Sequence, residues 1–100
     1  MNRIHEIKPV SVKNIPWKDE MGHGKVYVSE EYGTAAFLCP CGCGEEIAIA
    51  IKSPVWEGVN NAHIWGYKLT DDTLTLSPSI LQRVGCKSHF FIRGNKVIWC

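Results

Sequence analysis

Three cysteines stand at alternate positions in the run Cys39-Pro40-Cys41-Gly42-Cys43-Gly44. Thiolates are ligands for soft and borderline metal ions, and Zn²⁺ gathers them into tetrahedral sites. Proline fixes the direction of such a turn, and glycine lets backbone amides approach sulfur. Adjacent cysteines here are closer in sequence than the usual knuckle spacing of about two to four residues, which Cys39 and Cys43 do meet. A second half-site follows at Cys86-Lys87-Ser88-His89, and the fifth cysteine is Cys100. Six side chains therefore compete for four tetrahedral positions. Cys41, Cys43, Cys86 and His89 rank first as ligands of Zn²⁺, with Cys39 and Cys100 in reserve. Buried thiols packing as small hydrophobes are the plain alternative. An iron–sulfur cluster is a further one, although the spacing matches none of its common cysteine runs.

A catalytic zinc keeps one position open and needs a nearby base. Glu45 and Glu46 directly follow the cysteine turn, and His63 lies further along, but solvated turn residues explain the two glutamates equally well. The zinc-deaminase pattern and the His-Glu-x-x-His pattern are both absent from the sequence. Ser77 or Ser79 with His89 makes a conceivable nucleophile and base, yet a helix cap accounts for Ser77 more simply. A metal-bound His89 could not also act as a free base. These considerations favour a binding module over an enzyme.

The remaining histidines and the tryptophans carry weaker signals. His5 alternates with its neighbours on an expected edge strand, and His23 sits between two glycines in a loop. Trp65 and Trp99 read as core or rim, while Trp17 and Trp56 lie in loop-like stretches and are the tryptophans expected to face a partner. Arg83, Lys87, Arg93 and Lys96 make a small basic group beside Phe90 and Phe91, which keeps nucleic-acid binding as a lesser alternative.

The elements that must position these groups are mostly strands. In 100 residues, 45% apolar and 21% charged, the composition is that of an ordinary globular chain. A formal net charge of +1 gives no long-range pull toward nucleic acid or anionic membrane. There is no apolar run near the roughly 20 residues a membrane helix needs, and no signal-peptide pattern. An odd cysteine count argues against a secreted disulfide framework, so a reduced, cytoplasmic protein is expected.

Strands are predicted over 26–30 and 34–39 around a turn at Tyr32-Gly33, and over 46–51, where isoleucines alternate with alanines so that both faces are apolar. A two-residue turn at Asp71-Asp72 sets Leu69 opposite Leu74 and Tyr67 opposite Leu76. A second turn at Gly94-Asn95 sets Ile92 opposite Val97, Phe91 opposite Ile98, Phe90 opposite Trp99 and His89 opposite Cys100. One short helix is predicted between these hairpins, capped by Ser77, with Pro78 in its first turn and Gly85 closing it. The expected architecture is one mostly β, zinc-binding domain of antiparallel hairpins with at most one short helix. It spans 1–100, with an irregular segment over 1–25, including an edge strand near Ile4–Val10, and a core over 26–100.

The Cys39–Gly44 run, Thr75-Leu-Ser-Pro-Ser-Ile80 and the stretch Gly85–Trp99 together resemble a family of small bacterial and phage proteins catalogued as a domain of unknown function. The resemblance covers about residues 34–100. It implies metal-site membership for Cys41, Cys43, Cys86 and His89. It also implies a setting beside bacterial ubiquitin-like proteins and their activating enzymes. The function expected on this basis is a zinc-stabilised adaptor with a protein partner, accessory to a ubiquitin-like conjugation or phage–host system. The rival is a small zinc hydrolase or peptidase acting on ubiquitin-like substrates.

Overall fold

A computed structural model describes residues 4–52, 64–81 and 88–100. Its strands are β1 (Lys8–Ser11), β2 (Lys25–Ser29), β3 (Thr34–Leu38), β4 (Glu46–Ile51), β5 (Ile64–Thr70), β6 (Thr73–Leu81), β7 (His89–Arg93) and β8 (Lys96–Trp99). They form one sheet in chain order, β1 to β8. The pairings are antiparallel except β1–β2 and β4–β5, which are parallel. The protein is mostly β, as its alternating apolar pattern predicts.

The sheet curls until its two ends meet. Glu6 bridges Lys96, the Ile7 N–H donates to the Asn95 carbonyl at 2.8 Å, and the Val97 N–H donates to the His5 carbonyl at 3.0 Å. Closing a sheet on itself satisfies backbone groups that would otherwise form exposed edges. Inside lie Ile7, Val26, Val28, Phe37, Ile49 and Ile51 from the first half, and Leu74, Leu76, Ile80, Phe90 and Ile92 from the second. The Phe37 ring meets Phe90 edge-on at 6.3 Å, and Phe90 meets Trp99 at 5.3 Å. Each such side chain removed from water contributes about 1.5–3 kcal/mol.

The segment between β1 and β2 is structured as well. It carries a single 3₁₀ turn at Lys18–Glu20 and packs Met21, Val12 and Ile15 on the outer face of β2 and β3, against Tyr27 and Ala36. Trp17, beside that turn, is 79% exposed, which suits the partner-facing position expected of it. Trp56 lies outside the described residues.

Both expected hairpin registers are present. Leu69 pairs with Leu74 and Tyr67 with Leu76 across Asp71-Asp72, where Asp71 takes a left-handed φ of +52°. Phe90 pairs with Trp99 and Ile92 with Val97 across Gly94-Asn95, whose φ values of +54° and +69° suit a tight hairpin turn. The two turns are tied together: the Asn95 side chain accepts from the Leu74 N–H at 2.7 Å and donates to the Asp72 carbonyl. Asn95→Ala loses both bonds and a residue tolerant of positive φ. We expect it to destabilise the protein by about 2 kcal/mol in thermal melting.

Two expectations are corrected. Ser77–Leu81 is not the start of a helix; it belongs to β6, with Ser77 paired to Gly66 of β5 and Leu81 to His89 of β7. The helix cues are a cap worth about 1 kcal/mol and a proline that a bulge also accepts. Burial of Ile80 and ladder bonds on both sides outweigh them. Residues 82–85 of the expected helix lie outside the described residues. In β4, Ile47, Ile49 and Ile51 are buried but Ala48 is exposed, because the strand lies in a barrel wall with only one dry face.

Tyr67, which packs against the core opposite Leu76, donates from its hydroxyl to the Glu30 carboxylate. Desolvation, this hydrogen bond and the Glu30 charge push the Tyr67 phenol up from its ordinary value near 10 to about 12. A raised phenol favours the protonated, folded form below about 10, and the benefit disappears as pH rises through about 12. A phenolate absorbance titration should therefore show a late step that is absent from Tyr67→Phe.

Candidate functional site: a serine–histidine pair and a cysteine turn

Strand β6 holds a bulge where it passes β7. Leu76 pairs with Ile92 and Ile80 with Phe90, so four steps along β6 match two along β7. The bulge contains Ser77-Pro78-Ser79. Bulges commonly re-aim a side chain, and a proline without an N–H is tolerated there. Here Ser79 Oγ comes within 2.8 Å of His89 Nε2. His89 is the first residue of β7, and the Cys100 N–H donates to its carbonyl at 3.0 Å, which gives the expected register of His89 opposite Cys100. His89 is exposed and Ser79 half-buried, so the contact opens to solvent. With the proton on Nδ1, His89 Nε2 accepts from the serine hydroxyl and is placed to take its proton.

The Phe91 ring lies 6.4 Å from the His89 ring, and Arg93 stacks on Phe91 with Cζ 4.4 Å from the ring centre. Lys96 pairs with Glu6 at 3.6 Å on the surface. Two members of the basic group thus have local partners, and Arg83 and Lys87 lie outside the described residues.

The cysteine turn joins β3 to β4. Its sulfurs, from Cys39, Cys41 and Cys43, all lie within 4.8 Å of one another, with Cys39 and Cys41 3.4 Å apart. The Gly42 N–H donates to the Cys39 carbonyl at 3.1 Å, which folds Cys41 back on Cys39, and the positive φ at Gly42 (+90°) turns Cys43 toward both. The Cys39 N–H closes the base of the turn by donating to the Glu45 carbonyl at 2.8 Å. Cys39 is buried and the other two are half-buried. Such a cluster can hold a metal ion. Glu45 and Glu46 are exposed, while Cys86 and His63 lie outside the described residues. None of the four described cysteines forms a disulfide.

The structure thus brings Cys41 and Cys43 together with Cys39, and places His89 Nε2 against Ser79. A period-two pattern could have exposed the serine: Thr73, Thr75, Ser77 and Ser79 alternate with Leu74, Leu76 and Ile80, which is a strand signature.

A family model described as "Bacterial ubiquitination-like system serine protease (BubE)" matches residues 11–100. The chain belongs to the BubE family. That places it in a bacterial family tied to a ubiquitination-like system, the setting that the motif resemblance implies. No curated protein and no solved structure matches this BubE chain significantly. Among its described residues no helix is long and apolar enough to cross a membrane.

Proposed function

We propose that this BubE chain is a serine peptidase whose substrate is a ubiquitin-like protein, with Ser79 as nucleophile and His89 as general base. The observation that carries the reading is the 2.8 Å contact between Ser79 Oγ and His89 Nε2, in a half-open position beside a strand bulge. The family's description as a serine protease of a ubiquitination-like system supports it. This departs from the adaptor role favoured on sequence grounds, and it moves the hydrolase alternative from metal to serine chemistry.

In the reaction, Ser79 Oγ attacks the scissile carbonyl carbon as His89 Nε2 takes the hydroxyl proton. The tetrahedral intermediate collapses, the C–N bond breaks, and His89 returns that proton to the leaving amine. Water, deprotonated by His89, then hydrolyses the Ser79 ester and restores both residues. Zn²⁺ is the proposed metal of the cysteine turn, with Cys41 and Cys43 as ligands and Cys86 as a further thiolate. Spacing ranks His89 with them, but this reading assigns it to Ser79. Reduced thiols suit the cytoplasm, the compartment proposed for the chain.

The test incubates the purified protein with a ubiquitin-like protein joined through its C-terminus to a second polypeptide, followed by mass spectrometry. Cleavage by the wild type and none by Ser79→Ala is the expected result. Full cleavage by Ser79→Ala, or its loss in a still-folded protein stripped of metal, would return the reading to a zinc hydrolase.

A further inference from the structure

The sulfurs of the cysteine turn and the Ser79–His89 pair both invite chemistry, and the sequence ranking shares His89 between them. The geometry separates them. A tetrahedral zinc with Zn–S bonds of about 2.3 Å spaces its sulfurs about 3.8 Å apart. Cys39 and Cys41 stand 3.4 Å apart, and all three sulfurs fall within 4.8 Å, so small side-chain adjustments would seat a thiophilic ion on three of its four faces. The chain reaches this convergence without His89. Alternate residues of an extended strand lie about 7 Å apart on one side. A turn closed by the Gly42 N–H donating to the Cys39 carbonyl at 3.1 Å brings Cys39 and Cys41 together, and the positive φ at Gly42 turns Cys43 back toward them.

We infer that Cys39, Cys41 and Cys43 form one thiophilic metal site, independent of His89, whose metal fixes the β3–β4 turn and takes no part in hydrolysis. Cys39, the buried member, is then a ligand in its own right. A chain of contacts carries the position of this turn toward β7. The Pro40 carbonyl accepts from the Ile4 N–H at 2.7 Å, and the Ile4 carbonyl accepts from Trp99 Nε1 at 3.3 Å. Trp99 packs on Phe90, the residue next to His89. Metal in the turn therefore steadies the end of the barrel on which the pair is built. The donor set holds whether or not Ser79 is a nucleophile.

The test loads the reduced, metal-free full chain with Co²⁺ and reads thiolate-to-cobalt charge-transfer absorption. His89→Ala should bind one equivalent with the wild-type spectrum. Cys41→Ser and Cys43→Ser should each lose one thiolate's share of the band and at least about tenfold in affinity, since even partners outside the ligand shell are worth about that much. Because Cys39→Ser disturbs a buried position, Cys39 is read in the wild type by alkylation and peptide mapping with Zn²⁺ present. Relative to the metal-free chain, Cys39, Cys41 and Cys43 should gain protection when Zn²⁺ is added, while Cys100 stays modified. Loss of the cobalt band in a folded His89→Ala, or metal binding that leaves Cys41 and Cys43 open to alkylation, would overturn the inference. Both readouts can also be taken in Ser79→Ala, so failure of the peptidase reading is distinguishable from failure of this one.

Discussion

Ser79→Ala should lower hydrolysis of a ubiquitin-like substrate by roughly 10³-fold or more, with little change in melting temperature. Ser79 is half-buried at a bulge, and its hydroxyl is bonded to an exposed imidazole, so its removal opens no cavity in the core. His89→Ala should be as damaging, and the double variant little worse than either, because a nucleophile and its base act as one unit. Ser77→Ala is the internal control: Ser77 sits two residues away on the same bulged strand and is exposed. It should keep activity within about twofold, as ordinary surface substitutions do. Equal losses from Ser77→Ala and Ser79→Ala would mean that the bulge matters as a shape and that its hydroxyl does not.

Withdrawal of metal is expected to have the largest effect on stability. Structural zinc contributes an apparent free energy of about 10–16 kcal/mol in small domains, comparable with the whole stability of about 5–15 kcal/mol usual for a chain of this size. Three donors in a preformed turn capture part of that. Chelation should therefore lower the melting temperature by at least about 10 °C. Near-ultraviolet circular dichroism should weaken with it, because Phe37 on β3 and Phe90 on β7 meet just below the turn. Cys86→Ser should also lower the melting temperature if Cys86 supplies a further thiolate. An unchanged melt, with metal loss established by elemental analysis, would remove the stabilising role.

The parts of this fold that are legible in the sequence are those set by neighbours. A two-residue turn plus alternation fixes a register by counting outward, and so Tyr67 opposite Leu76 and His89 opposite Cys100 follow from Asp71-Asp72 and Gly94-Asn95. Closure is a different matter. The bridge from Glu6 to Lys96 joins opposite ends of the chain, and no local pattern marks it. Packing of residues 12–24 over Tyr27 and Ala36 is equally non-local.

The site was half legible. Its residue types are conspicuous, and Ser79 with His89 can be named from the chain. Their pairing depends on a bulge, and Ser77-Pro78 carries the same local signal for a bulge as for a helix start. A helix there puts Ser77 in a cap and leaves His89 to the metal. Cys39 stands in reserve in the sequence ranking, behind Cys41 and Cys43. The turn that brings its sulfur to theirs, closed by the Gly42 N–H on the Cys39 carbonyl and continued by the left-handed Gly42, is visible only in three dimensions.

The most direct measurement of the central claim is labelling with a serine-reactive fluorophosphonate, followed by intact mass and peptide mapping. Attack by an activated serine forms an Oγ–P bond and expels fluoride, and an unactivated serine reacts far more slowly. The account predicts a single adduct on Ser79, formed in Cys100→Ser and in the metal-loaded wild type, and lost in His89→Ala. An adduct on another residue, or none in a folded protein that still cleaves its substrate, would contradict it.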